Sequence, residues 1–194
     1  MRFDDEKVGF YLRHRNQLEE WIALREEAAA AIDEWLTSLT PDVETLAGEL
    51  AGDVEFFASV EKDDSFPCLF LKRSSWPGVG RDTAVLVGLQ WSRGKTLLIS
   101  GSTTWVVVRS DRKNAIGLAL RHDQSFRQIR KRRNDRRTPW YAAFGSVLPK
   151  GPFPEDAEGY RVEILDSIRQ AWEAYAGVID EVIETSAQVS RPQV

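Results

Sequence analysis

The chain has 194 residues, of which 42% are hydrophobic and 29% charged, the balance of a soluble globular protein long enough to bury a core. No run approaches the roughly 18 apolar residues of a membrane span, and a single cysteine with two distant histidines excludes an internal disulfide and any recognisable zinc or haem ligand spacing. The net charge of -4 conceals a segregation: residues 1–64 hold 6 Lys/Arg against 17 Asp/Glu, residues 65–137 hold 16 against 4, and residues 138–194 hold 4 against 9.

The N-terminus carries acids where a secretory signal would carry a positive and then an apolar region, so a cytoplasmic protein is expected. Residues 4–39 read as one long helix. Leu18, Ile22, Arg25, Ala29, Ile32, Leu36 and Leu39 recur at alternating four- and three-residue steps, the spacing of a helix-packing seam flanked by Trp21 and Trp35. Such a helix would reach about 54 Å, longer than a small domain is wide, so it must break or project. Thr40-Pro41-Asp42 is a helix start, with Thr40 as N-cap, and the short helix should end near Gly52.

Val54 to Glu61 and Phe66 to Arg73 then form a plausible hairpin around residues 62–65, with Pro67 forcing an edge or a bulge. Cys68, in the apolar run FPCLFL, is expected to be a buried, inert thiol. Residues 74–81 are a loop whose Trp76 is a candidate exposed ligand contact. Next come residues 84–92, 95–100, 103–109 and 115–121, read as consecutive short strands separated by turn residues, and connections this short favour antiparallel neighbours. Residues 125–137 should be a helix and 138–147 a further strand. Residues 149–156 form a linker, and Tyr160, Ile164, Ile168, Trp172, Tyr175, Ile179 and Ile183 mark a second long amphipathic helix over 157–186.

The expected architecture is therefore α+β: a mostly antiparallel meander sheet of five to seven strands with long amphipathic helices at both chain ends. It forms a single domain over 1–194, with an N-terminal helical segment at 1–52, the sheet and basic helix at 53–148, a linker at 149–156 and a C-terminal helix at 157–186. The two terminal helices each have a stripe to bury and should pack together, within one chain or between two.

The order helix, three strands, helix, strand over residues 41–148 resembles the core of the PD-(D/E)XK nuclease superfamily. That resemblance implies an Asp and a Glu-x-Lys on adjacent strands, holding Mg²⁺ and placing a lysine by the attacking water. The four central strand candidates contain no Asp or Glu, and Glu55, Glu61 and Lys62 lie on the earlier hairpin. A degenerate, nuclease-like binding domain is what the resemblance leaves. Neither histidine lies in a nucleophile motif, so catalytic residues, metal ligands and cofactors are all read as none.

The basic run is the strongest functional signal. Arg121 to Arg137 holds eight Lys/Arg against Asp123 and Asp135. On a helix, Arg130, Arg133 and Arg137 would share one face, with Arg127 and Lys131 beside it. Arginine forks match phosphate oxygens in pairs, and Trp140 and Tyr141 follow where they could stack on bases. A non-catalytic binding module is expected, contacting nucleic acid or another polyanion through Arg127, Arg130, Lys131, Arg133, Arg136, Arg137, Trp140 and Tyr141. The alternative is a protein-interaction or oligomerisation subunit. There the basic helix docks an acidic protein, and residues 8–39 and 160–183 form a homo-oligomer interface.

Overall fold

The structure is a computed structural model, and it describes residues 6–78, 83–93, 104–111, 113–147 and 157–189. Along the chain run α1 (Glu6–Thr37), α2 (Thr40–Glu49), β1 (Val54–Ser59), β2 (Cys68–Arg73), β3 (Leu86–Trp91) and β4 (Thr104–Arg109). Then follow α3 (Ala115–His122), α4 (Gln124–Arg132), β5 (Tyr141–Ser146) and α5 (Ala157–Val189). The strands form one five-stranded sheet in the order β1-β2-β3-β4-β5, every neighbouring pair antiparallel. The α+β meander expected from the sequence is the observed architecture.

Central β3 is buried along its whole length. Its registers, Leu71↔Val87 on one side and Val87↔Val108 on the other, put Leu71, Val87 and Val108 in line on one face. Helix α5 lies across that face. Tyr160, Ile164, Ile168, Trp172, Tyr175 and Ile179 form one continuous cluster with Leu69, Leu71, Val87, Leu89, Val106 and Val108. Full burial of each large apolar side chain is worth roughly 1.5–3 kcal/mol, so this contact dominates the fold. A smaller cluster of Cys68, Phe70, Leu86 and Val107 occupies the opposite face, which makes Cys68 the buried thiol expected of it.

Two expectations are corrected. Residues 115–121 are helix, not strand. The segment AIGLALRH has one β-branched residue and several strong helix formers, Asn114 caps it by accepting from the Ile116 N–H (2.9 Å), and Leu120 is fully buried one turn after Ile116. Thr40 is not an N-cap: Leu39 holds that position without a side-chain bond, and the Thr40 hydroxyl donates instead to Thr37 O (2.6 Å). The proposed strand 95–100 lies outside the described residues.

The two terminal helices meet only near one end. Trp35 stacks on Tyr160 with ring centroids 5.5 Å apart, and Leu36 is fully buried. Asp33 fixes the junction, accepting from Trp91 Nε1 (2.7 Å) and pairing with Arg93 (3.1 Å). Before Ala29, Phe10, Tyr11, Leu12, Trp21, Ile22 and Leu24 are exposed, and Leu18 is half-buried. The stripe at 160–183, expected to serve a homo-oligomer, is consumed inside the chain's own core. It is not an open face.

Candidate polyanion-binding surface

Helix α4 begins at Asp123, whose carboxylate accepts from the Phe126 N–H (2.7 Å), and one side of it is pinned by Phe126 against Tyr175 (4.9 Å between rings). Only Phe126 and the half-buried Ile129 face inward as apolar groups. The basic residues are therefore left to the other faces. The helix ends sooner than its charge pattern suggests. Asn134 adopts φ 57°, its N–H bonds Lys131 O (3.1 Å), and the Asp135 N–H bonds Arg130 O (3.0 Å). This pair of bonds closes the helix in a Schellman turn, with asparagine in the left-handed position.

The single face of Arg130, Arg133 and Arg137 consequently does not form. Arg133 is the C-cap, and its guanidinium turns inward. It pairs with Asp135 (3.0 Å), donates to Gln170 O (3.3 Å) on α5 and lies 5.8 Å from the Tyr175 ring. Arg130 is half-buried and donates to Asp135 O (3.3 Å). Arg136 and Arg137 lie on an extended arm that pairs back onto β5, Arg136 opposite Phe144 with both backbone bonds made (2.8 and 2.9 Å).

At the tip of that arm, the Thr138 hydroxyl accepts from the backbone N–H groups of Trp140 (3.2 Å) and Tyr141 (3.1 Å). Trp140 is thereby held 61% exposed. Tyr141 is half-buried and tilts against Phe144 (5.9 Å), so it belongs to the sheet's second face rather than to an open stacking platform. The Arg121 guanidinium supports the arm from beneath, donating to the carbonyls of Gly117 (2.6 Å), Ser110 (2.7 Å), Thr138 (3.2 Å) and Pro139 (2.9 Å). Nothing in the local sequence marks Arg121 for this work, because its four acceptors come from three separate places in the chain.

The outcome is a division of labour within the basic run. Arg121, Arg130 and Arg133 are structural. Arg127, Lys131, Arg132, Arg136 and Arg137 are exposed and make no ion pair among the described residues. Arg127 does reach back to the carbonyls of His122 and Asp123, which leaves its charge unanswered. Beside the arm, between β5 and α5, a cleft of about 550 Å³ is held open by small residues: Ala143 and Gly145 on the strand, Ser167 and Ala171 on the helix. Asp135 closes its basic end.

Other sequence candidates are settled by burial. Trp76 is 2% exposed, donates from Nε1 to Asp180 Oδ1 (2.7 Å) and packs on Trp172 (5.3 Å between rings); it is core, not a ligand contact. Glu55 is paired to Lys72 (2.7 Å) across the hairpin, and β3 and β4 carry no carboxylate. Among the described residues, no group of three or more His, Cys, Asp or Glu side chains is placed to hold a metal ion. No helix of the described chain is long and apolar enough to cross a membrane.

Burial beside Asp135 raises the ionisation of the Tyr175 hydroxyl well above the usual phenol range. Desolvation is the larger cause, followed by its hydrogen bond to the carboxylate. A folded-state pKa above the unfolded value means that the unfolded chain loses this proton first. Stability contributed by Tyr175 is therefore intact below about pH 10 and declines as the pH rises above it. Urea midpoints measured from pH 8 to 11 should fall more steeply for the natural protein than for Tyr175→Phe. Parallel curves would refute this.

No protein-family model, no curated protein and no solved structure matches this chain.

Proposed function

We propose that the chain is a non-catalytic binding module that contacts nucleic acid through the outward side of α4 and the adjoining arm. The observation that supports this reading is the set of five exposed cations, Arg127, Lys131, Arg132, Arg136 and Arg137, left without carboxylate partners among the described residues. Like charges this close repel one another and destabilise the fold unless an external anion answers them. The arm adds Trp140, whose exposed ring can stack on an unpaired base. The net charge of -4 gives the contact direction: the acidic remainder is repelled by a polyanion while this surface is drawn to it.

Fluorescence anisotropy with labelled single- and double-stranded oligonucleotides across a salt series tests the reading. Should all five cations meet phosphates of duplex DNA, log K is expected to fall against log salt with a slope near about -4.5. The triple variant Arg127→Glu, Lys131→Glu, Arg132→Glu should flatten that slope by about 3, and these exposed sites leave folding intact. Charge reversal at Arg130 or Arg133 is an unsuitable probe, because both are bonded to the Asp135 turn. No binding at low salt, or binding unaffected by the triple variant, would end the proposal. Binding of an acidic protein but not of an oligonucleotide would transfer the surface to that partner.

A further inference from the structure

Helix α1 is docked along its second half and, among the described residues, exposes most of its large apolar side chains along its first. From Ala29 onward Ala29 and Leu36 are buried, and Ile32 packs on the core. Before Ala29, Phe10, Trp21, Leu24 and Ala28 lie on one side at helical spacing with the half-buried Leu18; Tyr11 and Ile22 lie about a quarter-turn away, and Leu12 stands on the far side. Trp21 is 59% exposed and Phe10 53%. His14 and Arg25 are the polar interruptions. A run of exposed large apolar residues at helical spacing marks an interaction surface.

The charges along the same segment indicate what covers it. Residues 6–15 carry Lys7, Arg13 and Arg15 against Glu6, whereas residues 16–28 carry Glu19, Glu20, Glu26 and Glu27 against Arg25. The uncovered helix is thus basic at its outer end and acidic where it joins the body. A second copy laid alongside in parallel would set like charges against like. Laid antiparallel, it sets each basic end against an acidic one, twice over by symmetry.

We propose that residues 6–28 of α1 pair antiparallel with the same segment of a second copy, about a two-fold axis near Gln17. Residue 17 is the midpoint of 6–28, so this register covers the whole uncovered length of both helices, about 34 Å. Glu6 lies opposite Ala28, the last residue before the helix meets its own sheet. Phe10 faces Leu24, and Arg13 meets Trp21 with Glu20 next to it on the same flank of the seam. The two bodies project from opposite ends of the pair and do not compete for space. The pairing is independent of the basic surface, since none of these residues belongs to α4 or the arm.

Sedimentation velocity on the full chain over a concentration series is expected to show a reversible monomer–dimer equilibrium. Arg13→Glu should weaken it at least tenfold, as should Glu20→Arg. The double swap should restore it. Recovery of that kind separates pairing from any loss of helix, which circular dichroism on each variant also checks. Orientation is read by disulfide trapping, because Cys68 is buried and silent. Gln17→Cys should cross-link to itself. Phe10→Cys should not, yet it should cross-link to Leu24→Cys when the two variants are mixed. A monomer at every concentration, a dimer indifferent to the charge swaps, or self-linking of Phe10→Cys would each overturn the proposal.

Discussion

Replacing Asp135 by alanine is expected to lower the free energy of unfolding by about 3 kcal/mol, the low end of what removing one partner of a buried ion pair costs. The low end applies because Arg133 keeps 26% of its side chain exposed, although that of Asp135 is only 9% exposed. One carboxylate oxygen of Asp135 accepts from both Arg133 Nε (3.0 Å) and the Tyr175 hydroxyl (2.7 Å), and Arg130 donates to its backbone carbonyl. Alanine leaves a half-buried guanidinium and a dry hydroxyl without their shared acceptor. Asp135→Asn keeps an acceptor and loses only the charge, so it should fall between alanine and the natural residue. By contrast Lys131→Ala, at an exposed site with no ion pair among the described residues, should change stability by less than about 0.5 kcal/mol. Urea unfolding ranks the three variants. An Asp135→Ala protein as stable as Lys131→Ala would mean that the carboxylate does not anchor the turn.

The same residue explains why the site was only half legible in the sequence. The basic run itself is visible as composition, and so is its exposure, since Phe126 and Ile129 are its only large apolar side chains. Which cations remain free is not visible. Arg133 is removed from the surface by Asp135, two residues away, and by Gln170 and Tyr175 on a helix that begins some 25 residues later. Asn134 did carry a local signal, as an asparagine after a basic last turn, and reading it as a left-handed terminator would have ended the helix at Arg132. The sheet was more legible because alternating apolar runs and short turns leave few antiparallel registers. Residues 115–121 invite a strand assignment because so short an apolar run, following a strand, has no length by which helix and strand can be told apart. The core role of Trp76 depends on Asp180 and Trp172, which only the folded chain brings near.

Ile168→Lys is expected to prevent folding altogether. Ile168 is fully buried in the middle of α5, among the side chains that join the helix to the sheet. Truncation to alanine should already cost about 2–5 kcal/mol through lost transfer energy and the cavity left behind. An ammonium group at the same place adds desolvation with no carboxylate to answer it. Together these equal or exceed the whole stability of an ordinary domain, about 5–15 kcal/mol. The amphipathic stripe alone cannot separate this residue from Ile22, since both lie on apolar seams of long helices. Burial separates them: Ile22 is 39% exposed and Ile168 is not exposed at all. Ile22→Lys should therefore weaken self-association and leave the thermal midpoint nearly unchanged only at concentrations where the natural protein is monomeric. Ile168→Ala should lower the midpoint by the same amount at every protein concentration, because mass action stabilises only those contacts that a second copy supplies. An Ile168→Ala loss that disappears on concentrating the protein would assign α5 to an interface instead of the core.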